Sequence, residues 1–149
     1  NIRLIICTTG AEEWGDYGAY YFIKENPCVL SPENTRFFIV DGIGTAEKTL
    51  ILYGIGLPVR HWSLFLEKHA RELIEESGVP FMMRTIPPLL QVASDHVPVE
   101  NAGFEFIWFA SNSFIFHSSK DNIKALNEEN FREVCEFLDK FVRKIDKSL

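Results

Sequence analysis

Short apolar runs alternate with amphipathic stretches along the 149 residues, and this pattern predicts an α/β fold. The expected architecture has three layers, a mostly parallel mixed sheet flanked by helices. Three observations carry the prediction. Residues 2–8 and Arg36–Val40 are almost wholly apolar without polar alternation, as in strands buried on both faces. The stretches at 62–74 and 131–145 place apolar residues three and four apart, as a helix with one buried face requires. Gly10, Asp41-Gly42, Ser77-Gly78 and Pro87-Pro88 punctuate the runs. No linker, repeat or low-complexity tract interrupts them, so residues 1–149 read as a single domain. A chain of this size hides roughly 68–70% of its unfolded surface, enough for one real core.

In chain order, residues 2–8 predict a first strand, with Cys7 inside it as a small buried hydrophobe. Residues 14–24 predict a helix that ends before Pro27. Arg36–Val40 predicts a second strand, stopped by Asp41-Gly42, and Thr49–Ile55 a third. Pro58 stands near the start of a helix carrying Trp62, Phe65, Leu66, His69, Leu73 and Ile74, which Ser77-Gly78 closes. Residues 81–86 and 104–110 predict two more strands. Asn127 is placed to cap a last helix, with Leu126 and Phe131 spaced as a hydrophobic staple. Its stripe runs through Phe131, Val134, Phe137, Leu138, Phe141, Val142 and Ile145.

Composition excludes several functions. Acids number 21 against 15 Lys plus Arg, a net charge of −6, with no basic cluster, so nucleic acid is an unfavourable partner. No run approaches the roughly 18 apolar residues of a membrane helix. Three scattered cysteines, Cys7, Cys28 and Cys135, fit free thiols better than a disulfide framework. With no Asn-x-Ser/Thr sequon, they point to a cytoplasmic or prokaryotic setting. The sequence opens on Asn1 within a strand-like run, so a fragment or processed piece is expected.

In sheets of this kind, ligands bind beyond the carboxyl ends of the strands. Glu12 and Glu13 follow the first run, Asp41 the second, and Ser94-Asp95-His96 precede the strand at 104. His117 and Asp121 follow that strand. Each alone has a structural reading. The two glutamates complement a helix dipole, Asp41-Gly42 makes a turn, His117 is a hydrogen-bonded support and Asp121 a cap. Together they offer the carboxylate and imidazole donors that a catalytic Zn²⁺ site needs, on separate loops able to converge. Adjacent glutamates point in different directions, so one can bind metal while the other acts as base.

At these residues the chain resembles the di-zinc exopeptidases of the aminopeptidase Y and bacterial leucyl aminopeptidase type, a zinc metallopeptidase family. The resemblance rests on Gly-Ala-Glu-Glu-Trp-Gly at 10–15, a strand ending in Asp41, and Ser-Asp-His-Val-Pro at 94–98. Asn101-Ala102-Gly103 before a strand and His117-x-x-x-Asp121 before a C-terminal helix continue it. It implies the zinc-exopeptidase, phosphorylase/hydrolase-like sheet. It implies a metallo-aminopeptidase acting on peptides with a free N-terminus. Glu12 would be the general base, Glu13 and His117 ligands of one zinc, and Asp41 a ligand of the other. Asp95, His96 and Asp121 would orient substrate or support the ligands. Trp14, Phe114 and Phe116 could form an apolar pocket for the first side chain, although core packing is the favoured reading.

The sequence departs from this family in two ways. Five ligands are needed for two zincs and only three are present, because no His-x-Asp and no upstream bridging Asp occur. The family's first strands are missing too, so the chain reads as the C-terminal portion of such a domain. A missing N-terminal segment, a second chain or a homo-oligomer is then expected to complete sheet and site. Two other functions stay open: a glutaminyl cyclase-like acyltransferase with a single zinc, and a non-catalytic interaction domain of the same fold.

Overall fold

The computed structural model describes residues 2–45, 47–90, 92–111, 113 and 115–149. Its centre is one sheet. β1 (Arg36–Val40), β2 (Thr49–Ile55), β3 (Arg60–His61), β4 (Met82–Ile86) and β5 (Glu105–Ser111) form it. β5 pairs in parallel with β1 and antiparallel with β2. β2 in turn pairs in parallel with β4 and antiparallel with the short β3. Parallel and antiparallel pairings are therefore equally represented among the described strands.

Among the described residues, four helices cover the sheet: α1 (Tyr17–Glu25), α2 (Leu64–Ser77), α3 (His96–Asn101) and α4 (Glu128–Ser148). α2 and α4 close one face. Leu66, Ala70 and Leu73 of α2, with Val134, Phe137, Phe141 and Ile145 of α4, pack on Ile51, Ile107 and Phe109. The spacing of three and four keeps these residues on one side of each helix. Both helices have side-chain caps, which satisfy N–H groups that no helix can bond internally. Ser63 Oγ accepts from the Leu66 N–H at 3.1 Å. Asn127 Oδ1 accepts from the Asn130 N–H at 2.9 Å, as its position predicts. On the opposite face, Phe22 and Ile23 of α1 and Val99 of α3 meet Leu52, Phe106 and Trp108. The three-layer α/β arrangement is the expected one.

Four expectations need correction, and one helix is additional to them. Residues 2–8 form no strand: they run without ladder partners, and Leu4 and Ile6 are exposed. Apolar character alone does not make a strand; the backbone needs an edge to pair with, and among the described residues this run has none. Cys7 is accordingly exposed. The helix expected from residue 14 begins at Tyr17, because Gly15 (φ 108°) and Asp16 (φ 56°) are left-handed and cannot continue a helical turn. Pro58 lies in the turn between β2 and β3, not at a helix start. The segment from His96 forms α3, a helix too short to show a sequence period.

Candidate active site

A cleft of about 1070 Å³ opens beside the carboxyl ends of β1 and β5. Glu12, Glu13, Asp41, His117 and Asp121 all line it. All five come from three segments far apart in sequence, and the fold brings them together. Asp41 is fixed by the ladder: its N–H donates to Phe109 O at 3.0 Å, one step past the last β1 pairing. Glu12 and Glu13 ride on a single 3-10 turn, Glu12–Trp14, between left-handed residues Ala11 (φ 55°) and Gly15. His117 also takes φ 60°. Left-handed backbone at an alanine and a histidine is strained, and such strain concentrates at sites that need a particular side-chain direction. Gly42, with φ 68°, has the ring of Phe116 so close that a Cβ would fall 2.8 Å from its Cζ.

Glu13 and His117 pair directly, with Oε1 3.3 Å from Nδ1. Both side chains are largely exposed, so the contact adds little to stability. A carboxylate oxygen and an imidazole nitrogen are donors that zinc accepts, and the two fit one ion in type and proximity. Asp41 supplies a third oxygen donor in the same cleft. Among the described residues, no three His, Cys, Asp or Glu side chains are clustered closely enough to enclose an ion.

Burial raises the carboxyl of Glu12 above the usual carboxylate range, helped by the negative charges of Asp41, Glu13, Asp16 and Asp95. Burial, then Asp95 and Asp41, raises Asp16 in the same way. A carboxylate raised by desolvation and like charge holds a proton more readily, which suits acid–base work.

The Ser-Asp-His loop sits differently from expectation. Its contact with Asp41 comes from Ser94, which is buried and donates through Oγ to Asp41 Oδ2 at 2.7 Å. Residue-type reasoning favoured the titratable neighbours; a serine gives no such signal. Asp95 accepts from Thr9 Oγ1, and its Oδ1 is buried without a partner among the described residues. His96 does not line the cleft. It is 3% exposed and stacks on Trp108 at 4.5 Å between centroids, with Trp62 and Phe106 beside it. Burial lowers its basicity. Asp121 closes the His117 loop through its backbone N–H on Ser118 O at 3.0 Å. Of the three aromatics, Phe116 lines the cleft, Trp14 is 82% exposed, and Phe114 lies outside the described residues.

A model of peptidase family M28 matches residues 1–142. Two solved structures of BSAP, a zinc aminopeptidase from Bacillus subtilis, are similar in fold, at TM-scores of 0.71 and 0.69. They are 21% and 20% identical in sequence, and each match covers 93% of this chain and 34% of theirs. An aminopeptidase from Aneurinibacillus sp. strain AM-1 matches at 0.68 and 19% identity, over 91% of this chain and 31% of its own. The chain thus spans about a third of the length of these structures. No curated protein matches it.

Proposed function

The chain belongs to peptidase family M28, and on that premise we propose that it carries the general base and three ligands of a zinc-dependent aminopeptidase. One observation carries the reading: Glu12, Glu13, Asp41 and His117, from three distant segments, line a single cleft. The zinc aminopeptidase from Bacillus subtilis that shares this fold supports it. Glu13 and His117 would hold one zinc and Asp41 would belong to a second. When bound, zinc polarises the scissile carbonyl and lowers the pKa of water.

In this reading Glu12 takes a proton from the attacking water as its oxygen bonds to the carbonyl carbon. It delivers that proton to the leaving nitrogen as the C–N bond breaks. The carboxylates of the cleft would favour a substrate with a free ammonium at its N-terminus. Two further ligands are needed for a two-metal site, and the sequence has no His-x-Asp to provide them. Polypeptide outside these residues, or a partner chain, would supply both.

Elemental analysis after equilibration with zinc tests the ligands. One zinc per chain is expected, lost in His117→Ala and Glu13→Ala. Binding that survives both changes overturns the assignment. In the enzyme with all ligands present, Glu12→Gln is expected to slow hydrolysis of leucyl amide by about 10²–10⁴-fold with zinc retained. Undiminished hydrolysis would remove Glu12 as the base. Consumption of glutaminyl but not leucyl amide by a one-zinc protein would favour the cyclase reaction.

A further inference from the structure

The far end of the cleft carries a charge of the opposite sign. Arg84 is the one Arg or Lys that lines it among the described residues; the other charged groups there are Glu12, Glu13, Asp41 and Asp121. The register fixes its place. Ile39, Trp108, Leu52 and Arg84 form one row across β1, β5, β2 and β4. Paired residues share a face, so Arg84 stands on the same face as Trp108 and Leu52, which floor the cleft. Asp41 follows two residues after Ile39 and lines the same cleft. Three strand spacings of about 4.8 Å separate the β1 and β4 backbones, about 14 Å in all. Extension of both side chains leaves a gap that one amino acid, with its side chain, can span.

Arg84 is unengaged. Its guanidinium donates to Met83 O at 3.2 Å and approaches Met82 Sδ at 3.8 Å, and no carboxylate pairs with it among the described residues. A planar guanidinium facing a cleft is suited to bidentate binding of a carboxylate. The protein's net charge of −6 repels acidic ligands in general, so only a placed cation would admit one.

We propose that Arg84 selects substrates whose N-terminal residue carries an acidic side chain, its guanidinium binding that carboxylate. The inference rests on the cleft being the substrate cleft of the preceding section. It adds a substrate class: the ammonium and the scissile bond lie among Glu12, Glu13 and Asp41, while the side-chain carboxylate reaches across Trp108 and Leu52 to Arg84.

The test uses non-hydrolysable reduced-bond analogues of Glu-Ala and Gln-Ala, titrated into the zinc-equilibrated chain. The Arg84 Nε–Hε resonance, identified by its loss in Arg84→Lys, is followed. The Glu analogue is expected to bind about tenfold more tightly than the Gln analogue and to move that resonance. Arg84→Gln should abolish the tenfold gap, and Arg84→Glu should reverse it in favour of a Lys-Ala analogue. Arg84 is exposed, so neither change threatens the fold. Equal binding of the two analogues, a gap that survives Arg84→Gln, or no binding of either would overturn the proposal. Zinc retention and Glu12-dependent hydrolysis without acidic preference would overturn it while leaving the aminopeptidase reading intact. Zinc binding that survives both His117→Ala and Glu13→Ala would overturn the aminopeptidase reading, and the proposal with it.

Discussion

The two faces of β5 are built from adjacent residues and finish differently. Ile107 and Phe109 point to α2 and α4 and are sealed, at 1% and 0% exposure. Trp108 and Ala110 point the other way, where α1 and α3 cover the lower part and the cleft lies open above. One face holds the sheet together. The other keeps carboxylates, an imidazole and a guanidinium around an apolar floor whose Trp108 and Leu52 are themselves nearly buried. Stability and chemistry are thus divided across a single strand, and substitutions on its two sides should fail in different ways.

The largest effect is expected on the sealed side. Phe109→Ala leaves a cavity among Phe137, Phe141 and Ile51, and costs about 3–5 kcal/mol in urea unfolding. Leu50, half-buried on the cleft floor, should cost only about 1–2 kcal/mol on truncation to alanine, because its site already meets solvent. Equal costs would mean that the open face is packed as tightly as the closed one. Next in size is Ser94→Ala. Losing the 2.7 Å bond to Asp41 should leave stability within about 1 kcal/mol but, in the enzyme with all ligands present, weaken retention of the second zinc about 10–100-fold, read by competition with a chelator. Loss of stability without change in zinc retention would make Ser94 a structural residue only.

The closed face was the more legible in sequence. The stripe from Val134 to Ile145, the Asn127 cap and the strands β1 and β2 follow from periodicity and turn residues, since burial against a flat sheet imposes a repeat. The cleft has no period to read. Residue type points to Glu12, Glu13, Asp41 and His117, and a place after a strand adds to this for Asp41 and His117 alone. The same reasoning passed over Ser94, whose role depends on a neighbour 53 residues away, and Arg84, whose significance lies in the row it shares with Trp108. Residues 2–8 have the composition of a strand and form none, because pairing is a property of the edge opposite a run, not of the run itself. α3 was missed because six residues are too few to show a helical repeat.

The smallest expected effect lies where the two regions meet, at His96 beneath the cleft floor. Its ring is buried against Trp108, and its Nδ1 has no partner among the described residues. Burial lowers its pKa, outweighing the opposite pull of Glu100, Asp41 and Asp95. The native ring therefore stays neutral at a pH where the unfolded chain, titrating near 6.5, has begun to take up a proton. The unfolded state binds more protons there, so stability is full above about pH 6.5 and falls as pH drops below it, by at most about 1.4 kcal/mol per pH unit. Glu12 and Asp16, with raised pKa values, act in the opposite sense: they bind more protons when folded, so their contribution grows as pH falls through the carboxylate range. Subtracting the urea stability of His96→Phe from that of the parent at each pH isolates the histidine, since the carboxylates are common to both. The difference should slope between about pH 6.5 and 5 and be flat above pH 7. A flat difference throughout, or an imidazole that NMR shows titrating near 6.5 in the folded protein, would mean that water reaches the ring and that the cleft extends beneath its apparent floor.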